Sequence, residues 1–224
     1  MRFRDRRHAG RELAVRLMEW AAEVELVDPV VLALPRGGVP VAAEVARALE
    51  APLDVLVVRK IGVPGHPETG IGAIAGDDPP LFDRRSLEML GLTEDRLAPD
   101  VARERTELRR REQRYRGERP MPPLKDRAVI LIDDGLATGA TARAALRHLR
   151  RRGPARLVLA VPVCAPDTAA AMRSEAEADD VLCLHHPSDF YAVGQWYDDF
   201  DQVSDEEVMQ TLHEHGAPAS TSRS

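Results

Sequence analysis

Short apolar runs and longer stretches of helical period alternate along the chain. Strands are predicted at Pro29–Leu34, Leu53–Val58, Gly70–Ala75, Ala128–Ile132, Arg156–Val161 and Asp180–Leu184. Runs such as Val129-Ile130-Leu131-Ile132 are apolar at every position, which implies burial on both faces, as in a parallel sheet. Helical spacing covers His8–Val24, Val39–Leu49, Pro99–Arg116, Ala140–Arg151, Asp167–Glu175 and Asp205–His213. Strand-helix-strand alternation of this kind predicts an α/β fold with a parallel sheet, right-handed crossovers and helices on both faces. Ser204-Asp205-Glu206-Glu207 has the form of a capping box at the start of the last helix, and Gly153-Pro154 stops the helix that follows the central strand. Residues 1–215 read as a single domain and 216–224 as a disordered tail.

Composition narrows the class. The 224 residues carry a net charge of −6, with 30% charged and 44% hydrophobic positions, which suits a folded domain. Acidic balance and 4% aromatics argue against nucleic-acid binding, which needs a basic face or a stacking platform. Arginines are dense over 100–119, but Glu104, Glu107 and Glu112 are interleaved with them, as on a solvated helix with i,i+3 and i,i+4 pairs. No apolar run approaches the length of a membrane span, and Met1–Arg7 is charged, so a cytoplasmic protein is expected. Cys164 and Cys183 sit in apolar runs without a CxxC spacing and read as two buried reduced thiols.

The chemistry concentrates in four segments. In Ala128–Thr141 a buried strand runs into Asp133-Asp134, a small-residue turn follows, and a helix begins. Ala137, Thr138, Gly139, Ala140 and Thr141 offer consecutive N–H groups, two hydroxyls and a helix N-terminus, a receptor for a phosphomonoester. Two acids beside such a cradle suit a ligand with hydroxyls next to its phosphate. In Val30–Pro40 a strand leads into Pro-Arg-Gly-Gly, where Arg36 supplies a forked donor and Gly37 and Gly38 allow close approach of an anion. In Val57–Gly70 a strand ends in Arg59-Lys60 ahead of a Gly/Pro-rich loop that also holds His66 and Glu68. His185–Phe200 gathers Phe190, Tyr191, Trp196, Tyr197 and Phe200. These either stack on a planar ligand or staple the last helix to the core. His185 and His186 with Asp198, Asp199 and Asp201 match no metal-ligand spacing, and no protein metal site is expected.

The acid pair followed by Ala-Thr-Gly-Ala-Thr resembles the phosphoribosyl-diphosphate (PRPP) motif of type I phosphoribosyltransferases, and the likeness extends over roughly residues 1–212. The resemblance implies a parallel-sheet core with a small hood built from the N- and C-terminal segments. It implies transfer of ribose 5-phosphate from PRPP to a nitrogenous base, with Mg²⁺ as cofactor and diphosphate released. Asp133, Asp134 and Lys60 would be catalytic. Arg36, Gly37, Gly38, Arg59, Asp133, Asp134 and Ala137–Thr141 would bind PRPP, with a mobile loop beyond Lys60 covering the site. Partners implied are PRPP, a small-molecule base and a second copy in a homodimer. Two positions depart from the pattern. Gly135 stands where the family is usually apolar. Ala137 stands where the hypoxanthine-guanine branch carries an acid, although the adenine branch also has a small residue there. The alternative reading is a regulatory protein that binds PRPP or a nucleotide without turnover; a phosphohydrolase lacks an activated nucleophile here.

Overall fold

The computed structural model describes residues 2–174 and 177–215, and at 67 and 68 the backbone alone. The expected tail therefore lies outside the described residues. Five strands, β1 (Val30–Ala33), β2 (Leu53–Val55), β6 (Ala128–Ile132), β7 (Arg156–Val163) and β8 (Asp180–His185), form a parallel sheet. Its order is β2-β1-β6-β7-β8. Successive residues of the central strands point to opposite faces and both faces are covered. Val31, Ala33, Ile130, Ile132, Val158 and Ala160 pack with α1 (Arg6–Ala21), α2 (Gly38–Ala48) and α7 (Asp205–His215). Val30, Leu32, Val129, Leu131, Leu157 and Leu159 pack with α5 (Ala140–Arg150) and α6 (Pro166–Ser174).

Two strand expectations are corrected. Leu53–Val58 is not one strand. After Val55 the chain leaves the sheet, and β3 (Val58–Val63) begins a separate antiparallel ribbon with β4 (His66–Ala75) and β5 (Leu81–Phe82). Gly70–Ala75 belongs to this ribbon and not to the parallel core. The segment expected as an irregular loop is thus a hairpin. Its turn passes through Gly65 at φ +82°, and register shifts flank Gly62 where the ladder bulges. Apolar alternation alone does not distinguish a core strand from a ribbon strand.

Two helix expectations also shift. The α3 helix (Arg84–Leu90) was not anticipated, and α4 (Glu94–Arg116) begins before Pro99. Thr93 caps α4 through Arg96 N–H at 3.3 Å, and Glu94 and Asp95 occupy its first turn. Cap and dipole together outweigh the one N–H that Pro99 lacks. The capping box holds as expected: Glu207 N–H donates to Ser204 Oγ at 3.1 Å and Ser204 N–H to Glu207 Oε2 at 2.8 Å.

Two arginines of α4 reach the turn that leaves β4, Arg105 half-buried and Arg109 at the surface. Arg105 donates to the carbonyls of Gly76 and Asp78 at 2.6 and 2.7 Å, and Arg109 meets Asp77 at 3.0 Å. The expected hood is present: Phe3 N–H donates to Trp196 C=O, and Asp198 N–H to Phe3 C=O, both at 2.8 Å. Phe3, Ala9, Val163 and Tyr197 bury together beneath it.

Candidate functional site

Strands β1 and β6 are neighbours, yet the helices that follow them lie on opposite faces of the sheet. Loops that part in this way open a crevice at the carboxyl edge. Pro35–Gly38 line one wall and Asp133–Thr141 the other. The Pro35–Arg36 peptide is cis.

The walls touch at Gly37. A Cβ built there would lie 2.0 Å from Asp134 Oδ2 and 3.3 Å from Arg6 Nε. Only a residue without a side chain lets the two loops close this far. Asp133 Oδ1 accepts from Asp134 N–H at 2.9 Å. Asp134 Oδ2 accepts from Arg6 Nε at 2.8 Å, and Tyr197 Oη donates to the Asp134 carbonyl at 2.6 Å. Burial pushes the Asp133 carboxyl well above the usual range, with the Asp134 charge adding to it and Lys60 opposing it. Burial also raises Asp134, but Arg6 pulls it back. Burial raises Tyr197 as well, and the Asp134 charge adds to that, so its hydroxyl stays a donor.

Beyond the acids the turn reaches α5. Gly139 sits at φ +74° as its N-cap and supplies no side-chain cap, which leaves the first N–H groups of α5 to a ligand or to water. Thr138 is exposed and Thr141 half-buried, on the turn that follows Asp133 and Asp134. Thr168 Oγ1 donates to Ala137 C=O at 2.5 Å and Arg143 to Thr138 C=O at 2.8 Å, so both carbonyls of the turn are already engaged. A Cβ at Gly135 would meet Val193 at 2.5 Å, so the departure at that position makes room for the hood.

The expected cations divide. Lys60 is exposed on β3, and its charge acts on Asp133. Arg59 points to the other side of the ribbon, where Nη2 meets Glu104 at 2.8 Å. Arg36 leans toward the start of α7, with Nη1 3.8 Å from Asp205 Oδ1. Asp205 also accepts from Tyr115 Oη at 2.6 Å. His66 lies exposed at the start of β4, and the side chain of Glu68 is outside the described residues.

Sequence reasoning missed Arg6 as a site residue, and it gathered Tyr197 and Phe200 among the aromatics without placing them against Asp134 and Arg6. The Arg6 guanidinium lies 3.9 Å from the Phe200 ring centroid, and its Nη1 donates to Asp201 C=O at 2.7 Å. The half-buried acid pair draws its cation from the far N-terminus, a partner that no local pattern marks among the arginines there.

Comparison with known proteins places these features in company. A model of the phosphoribosyl transferase domain matches residues 8–201. Two Mycobacterium tuberculosis proteins, from strains CDC 1551 / Oshkosh and ATCC 25618 / H37Rv, carry provisional phosphoribosyl transferase names. Each is 47% identical over 212 residues, which cover 94% of this chain and 46% of theirs. The chain thus spans about half the length of these curated relatives. A crystal structure of a Thermus thermophilus protein superposes with a TM-score of 0.79 at 46% identity, covering 97% of this chain and 100% of that one.

Proposed function

This chain belongs to the phosphoribosyl transferase family, and from that premise we propose that it transfers ribose 5-phosphate from PRPP to a nitrogenous base with release of diphosphate. The observation that carries this reading is the uncapped start of α5 beside Asp133 and Asp134. The α5 N–H groups, with the Thr138 and Thr141 hydroxyls, hold the 5-phosphate, where the helix dipole favours negative charge. Asp133 and Asp134 accept from the ribose hydroxyls and set negative charge beside the sugar as it gains oxocarbenium character. Lys60 and the N–H groups at the start of α2 neutralise the departing diphosphate. Arg36 joins them by rotating away from Asp205, and Arg59 serves only if Glu104 releases it.

The donor set fits Mg²⁺. Two carboxylates at one crevice are hard oxygen ligands, suited to a hard cation that keeps most of its waters and is shared with substrate oxygens. When bound, Mg²⁺ supplies charge neutralisation on the diphosphate. Ala137 cannot move a proton, so the acceptor base loses its proton to solvent or to the diphosphate. The exposed Tyr191 is the hood's aromatic ring open to a planar acceptor.

One observation favours the second reading, PRPP binding without turnover. Arg6 already occupies Asp134, an acid the ribose needs. Incubation with PRPP, Mg²⁺ and a panel of bases, following diphosphate release, separates the two. Release with one base, lost in Asp134→Asn, supports transfer. Saturable PRPP binding in calorimetry with no release for any base supports the binding protein. Absence of PRPP binding defeats both.

A further inference from the structure

Away from the acid pair, the same edge of the sheet holds a second group of side chains. Among the described residues, Cys164, Cys183 and His186 place their ligand atoms all within 4.8 Å of one another. Cys164 follows the end of β7 and is fully buried; Cys183 lies in β8 and is half-buried; His186 follows β8 and is exposed. Cys164 Sγ lies 3.3 Å from His186 Nδ1. Cys183 Sγ donates to His185 C=O at 3.1 Å, the carbonyl that also accepts from Cys164 N–H at 3.1 Å.

We propose that Cys164, Cys183 and His186 form a binding site for a borderline-soft divalent cation, Zn²⁺, with its fourth position open to solvent on the His186 side. Two sulfurs and an imidazole nitrogen are the donor set this ion takes, in contrast to the oxygen-only set at Asp133 and Asp134. Tetrahedral zinc, with Zn–S of about 2.3 Å and Zn–N of about 2.0 Å, brings its ligands to roughly 3.5–4 Å apart. Cys164 Sγ and His186 Nδ1, 3.3 Å apart, are already near that spacing, and no pair needs to close by more than about 1 Å. A disulfide would use the two sulfurs and leave the imidazole without a task; the metal engages all three. Binding replaces two S–H protons, so each ion taken up at neutral pH releases two protons to solvent.

Two surroundings bear on the site. Arg173 is on the exposed side of α6, near the cluster. Behind the cluster the backbone runs into the crevice wall: Leu136 N–H donates to Val163 C=O and Ala165 N–H to Leu136 C=O, both at 2.9 Å. An ion here braces the strand end that backs Ala137 and the phosphate cradle. The site stands whether or not the chain performs transfer, since its test reads metal directly.

Linear spacing hides this cluster. Its ligands come from the ends of adjacent parallel strands, and the ladder that pairs Val161 with Cys183 and Val163 with His185 brings them together.

The experiment titrates metal-stripped, reduced protein with Zn²⁺ against a chromophoric chelator, and with Co²⁺ as a spectroscopic substitute. Expected are one ion per chain, two protons released, two thiols protected from alkylation, and a thiolate-to-Co²⁺ charge-transfer band. Cys183→Ser should weaken Zn²⁺ binding about 100-fold or more. His186→Ala, at an exposed position that leaves the core intact, should weaken it at least about tenfold and is decisive if the serine variant misfolds. Absence of saturation, uptake unchanged in His186→Ala, or a Cys164–Cys183 disulfide in protein purified under mild reduction would overturn the proposal.

Discussion

Arg6 Nε donates to Asp134 Oδ2 across 2.8 Å, so the first turn of the first helix holds one of the two carboxylates of the crevice. Arg6 opposes the effect of burial on that acid. In Arg6→Met the Asp134 carboxyl rises further and stays protonated to higher pH. A charged hydrogen bond of this kind is worth about 1.5–3 kcal/mol. PRPP affinity in Arg6→Met should therefore fall about tenfold or more at pH ~6 and less at pH ~8, read by calorimetry at both.

Asp133 trades stability for its place in the site. Its folded-state pKa is raised by burial and by Asp134, so the native state binds more protons than the unfolded chain above pH ~4. Stability contributed by the protonated form is complete below that pH and is lost as pH rises through the folded value. Asp133→Asn removes the cost. It should melt higher than the parent at pH ~7, by about 2–4 °C for each kcal/mol relieved, with the difference closing toward pH ~4. The same variant should lose PRPP binding.

Gly37 faces Asp134 across the crevice. Its added Cβ would overlap Asp134 Oδ2. Overpacking of this kind costs about 1–3 kcal/mol, so Gly37→Ala should weaken PRPP about tenfold or more, with circular dichroism unchanged.

Lys60 and Arg59 are adjacent in sequence but face opposite sides of β3. Lys60→Ala should lower kcat/KM for PRPP by about 10–100-fold, the worth of one charged contact. Arg59→Ala should change it by less than about fivefold while loosening the ribbon from α4, seen as faster amide exchange over β3 and β4.

His148 gives the ribbon a pH response. It is 2% exposed, with Nδ1 3.1 Å from Asp78 Oδ2, and burial lowers its pKa despite that partner. A depressed histidine contributes stability above its unfolded value, ~6.5, and loses it as pH falls through the folded value. Melting temperature should decline from pH ~7 to pH ~5, and the decline should shrink in His148→Gln.

The parallel core was legible because its strands are buried on both faces and so read as unbroken apolar runs. The crevice was legible where chemistry follows a strand directly, at Arg36–Gly38 and Asp133–Thr141. Arg59 was harder to place, since two consecutive basic residues on a strand look alike in sequence and only the partner, Glu104, separates them. Arg6 and Tyr197 reach Asp134 from opposite ends of the chain, a relationship carried by packing alone. The arginines of α4 were readable as charge, but the targets of Arg105, the carbonyls of Gly76 and Asp78, leave no mark on the sequence.

The ladder joining β1 to β6 pairs Val30 with Val129 through to Ala33 with Ile132. It acts as a ruler. The two halves of the crevice hang from the ends of these strands, so their relative height is fixed by register, in steps of about 3.3 Å. A slip of one residue would carry the acid pair out of reach of the glycine pair, however well each loop kept its shape. These apolar rungs, buried in the sheet beneath the crevice, must therefore stay as they are for the two loops to meet.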